Sequence, residues 1–307
     1  MNKTGTPKNT IEQQALKYGA AINLIMAISG WLAYYLSRSQ ALLLDGNFSF
    51  LMFISLFVAI RISAIKEKRT ELFPYGQFVY EALYSLLKGI MITGVLLASF
   101  IQNATAIFHF LGGGQANVLN TNVILVYAVG MLFLCFSSAI YYRLQNKKTQ
   151  NSSTILRAEY SAAIVDGFMS AGIGVALVSI RFINLEGSLG FLHYIGDSLL
   201  VLLLCVLLGK GPVVLIRDSF IELAGGTLQN KNDRSQIEGI LHKYLQSDKL
   251  LTGNYISKTG SSYLVVAYLN TESVATFRSG EIQELRKKIS TELKELYPNI
   301  LLEVVLA

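Results

Sequence analysis

The sequence predicts an all-α six-helix transmembrane bundle over residues 1–217, followed by a cytoplasmic α/β domain over residues 218–307. Three observations carry this. The chain has 307 residues, of which 52% are hydrophobic and only 15% charged, against about 25% charged in soluble proteins. Six apolar stretches reach about 20 residues, the length that crosses a bilayer as a helix. Basic residues gather on alternate connections between those stretches, as the positive-inside rule requires. Only four prolines and long apolar runs exclude a disordered or collagen-like chain.

The elements follow in chain order. Met1–Lys17 is polar, and no small-residue cleavage pattern follows the first apolar run, so Gly19–Leu36 is expected to be a retained first span. The second, Ala41–Ala64, carries an aspartate near its start. The third, Ala82–Leu111, is long enough to tilt or to project past the bilayer. Val118–Leu144 is the fourth. Thr154–Ile180, the fifth, is rich in small residues (Ala158, Ser161, Ala162, Gly167, Ser170, Gly174). Small residues let helix backbones approach closely, which places this span inside the bundle. Gly190–Ile216 is the sixth.

Orientation comes from the connections. Lys3, Lys8 and Lys17 precede the first span; Arg61, Lys66, Lys68 and Arg69 follow the second. Arg143, Lys147, Lys148 and Arg157 lie between the fourth and fifth, and Lys210 and Arg217 flank the exit of the sixth. The alternate connections hold only Arg38 and Arg181. Both termini are therefore expected in the cytoplasm, with the chain in the cell (inner) membrane. The net charge is +6, with 16 basic and 9 acidic residues in 1–217 against 10 and 11 in 218–307. A near-neutral tail excludes a basic nucleic-acid-binding domain.

The tail alternates differently. Gly225 and Gly226 break the apolar pattern, and Asp233 is a candidate helix cap. Ile237, Ile240, Leu241 and Leu245 recur at helical spacing. Tyr255–Ser257 and Tyr263–Tyr268 flank Gly260-Ser261-Ser262 as a hairpin. Ile282, Leu285, Ile289, Leu293 and Leu296 form a second amphipathic helix, and Leu301–Leu306 a last strand. The order αββαβ predicts a small ferredoxin-like α/β domain.

Chemistry is sought among polar residues inside the spans. A charge at mid-membrane costs about 2.5–3.5 kcal/mol on insertion scales, which makes it a functional candidate. Asp45 in the second span and Asp166 in the fifth stand out, with Ser49 four residues after the first and Ser170 four after the second, each on its aspartate's helix face. Two converging carboxylates make an oxygen-rich cation site that also carries protons. The structural alternative is that each pairs with a buried cation such as Lys88, or caps a broken helix. Glu81, Lys88, Arg157, Glu159 and Asp197 lie near span ends, where interfacial placement or ion pairing is expected. Asn23 and Asn103 are expected to bond between helices. Cys135 and Cys205 read as small buried hydrophobes. His109, His193 and His242 are scattered and form no zinc cluster. No phosphate-binding glycine loop, nucleophile elbow or metalloprotease helix is present, so no enzyme is expected.

Three stretches resemble the cation diffusion facilitator (cation efflux) family. Ser39-Gln40-Ala41-Leu42-Leu43-Leu44-Asp45-Gly46 is similar to that family's start of helix 2. Phe73-Pro74-Tyr75-Gly76 with Glu81-Ala82-Leu83 is similar to its cytoplasmic approach to helix 3. Arg157-Ala158-Glu159 through Asp166 is similar to its helix 5. The resemblance implies a homodimer that exports a divalent metal cation by proton antiport, with the tail as a dimerising and regulatory domain. It implies a tetrahedral metal site to which Asp45 and Asp166 contribute, with Ser49 as an auxiliary oxygen ligand. The family usually places a carboxylate or His at position 49 and His or Asp at position 162; here they are Ser49 and Ala162. Val79 stands where a basic residue is usual before Glu81. An oxygen-only set suits Mn²⁺ or Mg²⁺ better than zinc, and Fe²⁺ less clearly, while a zinc site completed by water stays open. Two other functions are also open: a non-transporting membrane partner of an active family member, and a monovalent cation/proton exchanger.

Overall fold

Six long helices build the first part of the chain in the computed structural model: α1 (Pro7–Ser37), α2 (Gln40–Ile65), α3 (Val79–Leu111), α4 (Asn122–Lys148), α5 (Thr154–Ile180) and α6 (Leu192–Leu223). The structure describes residues 7–113, 122–149, 153–180, 182, 183, 187, 189–245, 250–274 and 280–306. Each of the six is long and apolar enough to cross a membrane. Lys3, Arg181 and the expected start of the fourth span at Val118 lie outside the described residues. The expected spans match these helices, but α1 and α6 run further into polar sequence. α1 begins at Pro7 and α6 continues past Ile216 to Leu223. Hydropathy marks only the apolar part of a helix, whereas the backbone ladder continues wherever each N–H still finds a carbonyl.

The chain divides into two compact units. The first comprises Met1–Ile65 and Leu87–Ile216; the second comprises Lys66–Leu86 and Arg217–Ala307. In the first, α2 and α5 are the most buried spans and α6 the least. Leu42, Leu44, Met131, Ile173, Leu177 and Val201 lie in its core. Glycines set two close approaches. A Cβ on Gly30 would sit 2.6 Å from the Gly46 Cα, so α1 and α2 touch backbone to backbone beside Asp45. A Cβ on Gly174 would sit 2.4 Å from the Ala128 Cβ, so α5 lies close against α4. The small-residue pattern of the fifth span is thus used for packing.

The start of α2 is held from a distance. Asp197 on α6 accepts from the Ser39 hydroxyl at 2.8 Å and from the Gln40 and Ala41 backbone N–H groups. A carboxylate from another helix therefore satisfies donors that every helix N-terminus leaves free.

In the second unit, α7 (Lys231–Tyr244), β1 (Leu251–Thr259), β2 (Ser262–Leu269), a short α8 (Thr271–Val274), α9 (Glu281–Leu296) and β3 (Ile300–Leu306) follow in order. The sheet order is β1-β2-β3, antiparallel between β1 and β2 and parallel between β2 and β3. A parallel pair needs a crossover, which α9 supplies. Ile237, Leu241, Val265, Ile289, Leu293 and Leu302 share its core. The cap of α7 is Asn230, whose side chain accepts from the Asn232 and Asp233 N–H groups, and not Asp233 as expected. Asp233 lies one turn further in and accepts instead from the Tyr263 hydroxyl at 2.9 Å. Either residue type serves as a cap, and the sequence did not distinguish them.

The Phe73-Pro74-Tyr75-Gly76 stretch is a tight turn in this unit. Gly76 has φ +100°, and a Cβ there would lie 2.6 Å from the Phe78 ring, so only glycine fits. Just beyond it, Glu81 pairs with Lys66 at 3.1 Å. Its other oxygen accepts from Ser261 N and Oγ at the β1–β2 turn.

Candidate cation site between helices 2, 4 and 5

Asp45 sits on the second turn of α2, beyond the Asp197-capped end and beside the Gly30–Gly46 contact. It is fully buried. Its Oδ2 accepts from the Tyr127 hydroxyl of α4 at 2.8 Å and from the Ser170 hydroxyl of α5 at 3.2 Å. Asp166, also buried, lies one turn before Ser170 on α5. Its Oδ2 accepts from the Cys135 thiol of α4 at 3.6 Å. Ser170 therefore ties the two acidic positions together, and the two carboxylates lie close enough to act on each other electrostatically.

Three oxygens here have no hydrogen-bond partner: Asp45 Oδ1, Asp166 Oδ1 and Ser49 Oγ. Ser49 is fully buried one turn after Asp45. Buried oxygens normally find a donor, so three unpartnered ones demand an explanation. They are acceptors only or can act as acceptors, which is what a cation asks of its surroundings. Among the described residues, no three His, Cys, Asp or Glu side chains are already gathered as metal ligands.

A cavity of water size borders Asp166. Asn23, Met52, Cys135, Glu159, Ala162 and Asp166 are among its lining residues. Glu159, two turns before Asp166 on α5, pairs with Lys88 of α3 at 2.7 Å, with both side chains buried. Lys88 is thus a counter-ion of Glu159.

The structure brings Asp45 and Asp166 together and places Ser49 and Ser170 on their respective helices as the spacing predicts. Ala162 reaches the cavity but offers no donor atom. Tyr127 and Cys135 were missed. A tyrosine in a span reads as packing, and a cysteine in an apolar run reads as a small hydrophobe. Nothing local in α4 signals that both face carboxylates of other helices. Cys205 has no such neighbour: its thiol reaches the Leu96 carbonyl at 3.3 Å. The amides of Asn23 and Asn103 bond carbonyls four residues back in their own helices, at 2.9 Å each, and do not bridge helices as expected.

The family model of the cation efflux transmembrane domain matches residues 16–224. No curated protein matches the chain.

Proposed function

Because the chain belongs to the cation efflux family and is therefore a multi-pass membrane cation transporter, we propose that it exports a divalent metal cation from the cytoplasm by proton antiport. Asp45 and Asp166 bind the cation, and Ser49 adds an auxiliary oxygen. One observation carries this reading: two buried carboxylates from α2 and α5, each with an unpartnered oxygen, meet inside a bundle of apolar helices. Two ionised carboxylates side by side in a low-dielectric interior are costly unless a cation or protons compensate them. A divalent cation and protons are then alternative occupants, and exchange follows from competition for the same oxygens. Tyr127 and Ser170 hold Asp45 in place through either state. Alternating access exposes the site to each side in turn. Both termini face the cytoplasm, the protein lies in the cell membrane, and it acts as a homodimer, as in the family pattern the sequence resembles.

The test is cation-driven proton flux in proteoliposomes, read across Mn²⁺, Zn²⁺, Mg²⁺, Fe²⁺, Na⁺ and K⁺. Asp45→Ala and Asp166→Ala are each expected to abolish it. Full flux in both variants rejects the site. Flux with Na⁺ or K⁺ alone replaces the divalent reading with the monovalent one. Ala162, which removes a usual ligand, favours the non-transporting partner, and a wild-type protein with no flux for any cation decides for it.

A further inference from the structure

We propose that the end of the bundle where α1, α4 and α5 meet binds an anionic phospholipid, its phosphate held by Arg143, Lys147 and Arg157 and an acyl chain laid along Ile140 and Leu144. This goes beyond the transport reading and does not depend on it.

The surface charge at this end is one-sided. In the first unit every described acidic residue is buried: Glu12, Asp45, Glu159, Asp166 and Asp197. Glu12 accepts from the Ser153 hydroxyl, and Glu159 pairs with Lys88. Lys17 of α1, Arg143, Lys147 and Lys148 of α4, and Arg157 of α5 are all exposed. Among the described residues, none of these five is paired with a carboxylate. Surface cations at the end of a membrane span attract anionic headgroups.

Helix packing gathers the five. A Cβ on Gly167 would lie 3.2 Å from the Cys135 Cβ, and Gly174 lies against Ala128, so α4 and α5 run antiparallel. The same number of residues beyond the first of these contacts, α5 reaches Arg157 and α4 reaches Gln145. Arg157 is therefore level with the turn that carries Arg143 and Lys147. α1 joins at the same end. A Cβ on Gly19 would run into the Tyr142 hydroxyl, and the Tyr18 and Tyr141 rings meet with centroids 4.3 Å apart. Lys17, next to Tyr18, completes the group.

What singles out a lipid is the sequence of surfaces along α4. Ile140, Arg143, Leu144, Lys147 and Lys148 recur at i, i+3, i+4, i+7 and i+8, which is one helix face. Ile140 is 60% and Leu144 52% exposed. The face is apolar towards the middle of the span and basic at its end, the order of acyl chain and phosphate in a phospholipid. A free phosphate or an acidic peptide would use only the basic half. Tyr18 and Tyr141 fit the headgroup level, where aromatic rings concentrate. Guanidinium and ammonium groups hold phosphate through charge-assisted hydrogen bonds.

The test uses the purified full-length protein, stripped of lipid in neutral detergent. It is titrated with phosphatidylglycerol or phosphatidylcholine, and bound lipid is counted by native mass spectrometry. Because binding is read in detergent, a change of membrane orientation in a variant does not enter. Each Lys or Arg near an anionic surface is worth about a 5-fold change in affinity, so Arg143→Gln combined with Lys147→Gln should lose about 25-fold for phosphatidylglycerol. The double variant should keep its phosphatidylcholine affinity, which shows that it folds. Arg38→Gln, at the other end of α1, should bind both lipids as the wild type does. Equal affinity of the wild type for the two lipids, or undiminished phosphatidylglycerol binding in the double variant, overturns the proposal. Displacement of phosphatidylglycerol by inorganic phosphate, but not by chloride at equal ionic strength, assigns the basic group to a free anion and also overturns it. Failure of cation flux leaves this result untouched, and failure of lipid binding leaves the transport reading untouched.

Discussion

Tyr127 shows what a single side chain would add to the proposed cation site. Its hydroxyl donates to Asp45 Oδ2 at 2.8 Å, and its ring is buried against the bundle core. Removing the hydroxyl leaves the ring packing intact but frees the carboxylate to turn. Groups that orient a ligand in this way are worth about 10–100-fold in metal affinity. Tyr127→Phe is therefore expected to weaken cation binding within that range while leaving the thermal midpoint nearly unchanged, measured by titration calorimetry and unfolding in detergent. A variant that binds as tightly as wild type assigns Tyr127 to packing alone. At this scale the sequence was informative about charge and silent about approach. Asp45 and Asp166 were legible because ionisable groups are expensive in apolar spans. Ser170 was legible because a spacing of four residues fixes one helix face. Tyr127 and Cys135 were not, because their role depends on where α4 crosses α2 and α5, which no local pattern encodes. Asn23 and Asn103 failed for the complementary reason: an amide in a span takes the nearest free carbonyl, and that carbonyl belongs to its own helix.

At the scale of elements, the sequence located every span but not what fixes each one. The fifth span was placed at its observed limits, Thr154–Ile180. In the tail, β1 begins at Leu251, earlier than the expected Tyr255. Gly253 and Asn254 are poor strand residues, yet they pair with Tyr268 and Ala267, with an irregularity between Leu251 and Gly253. Pairing with β2 overrides local propensity there. The anchor of α2 was equally hidden. For Asp197 the sequence suggests interfacial placement or an ion pair; in the structure it is also a remote cap that accepts from Ser39, Gln40 and Ala41. Losing a helix cap costs about 0.5–2 kcal/mol. Asp197→Ala is therefore expected to destabilise the protein by that amount. Because Asp45 lies only one turn and a half from the cap, it should also lower cation affinity. Asp197→Asn, which keeps one acceptor, should fall between the two. Unfolding midpoints and calorimetry on the three proteins check the order, and an unchanged midpoint in Asp197→Ala removes the capping role.

For the whole molecule, the question is which way it faces, and the charge distribution bears on it directly. The surplus of basic over acidic residues lies entirely in residues 1–217. Not every basic residue there is free to set topology: Lys66 is buried and paired with Glu81, and Lys88 is buried and paired with Glu159. Arg61, Lys68, Arg69, Arg143, Lys147, Lys148 and Arg157 are exposed and belong to the two connections that should face the cytoplasm. Positive charge near span ends resists translocation, so these seven bear on the orientation. Single reporter cysteines can read it, since native Cys135 and Cys205 are buried and stay silent in the folded protein. Thr10→Cys in α1 and Ser235→Cys in α7 are expected to react with a membrane-impermeant maleimide in inverted vesicles and not in intact cells. Gly112→Cys, after α3, should react in intact cells only. Replacing these seven exposed basic residues with glutamine should give labelling from both sides at every reporter, a mixed population. Labelling of Ser235→Cys in intact cells of the unaltered protein would reverse the orientation. The proposed direction of transport would reverse with it, because the ends of the bundle reached from the cytoplasm and from outside would exchange.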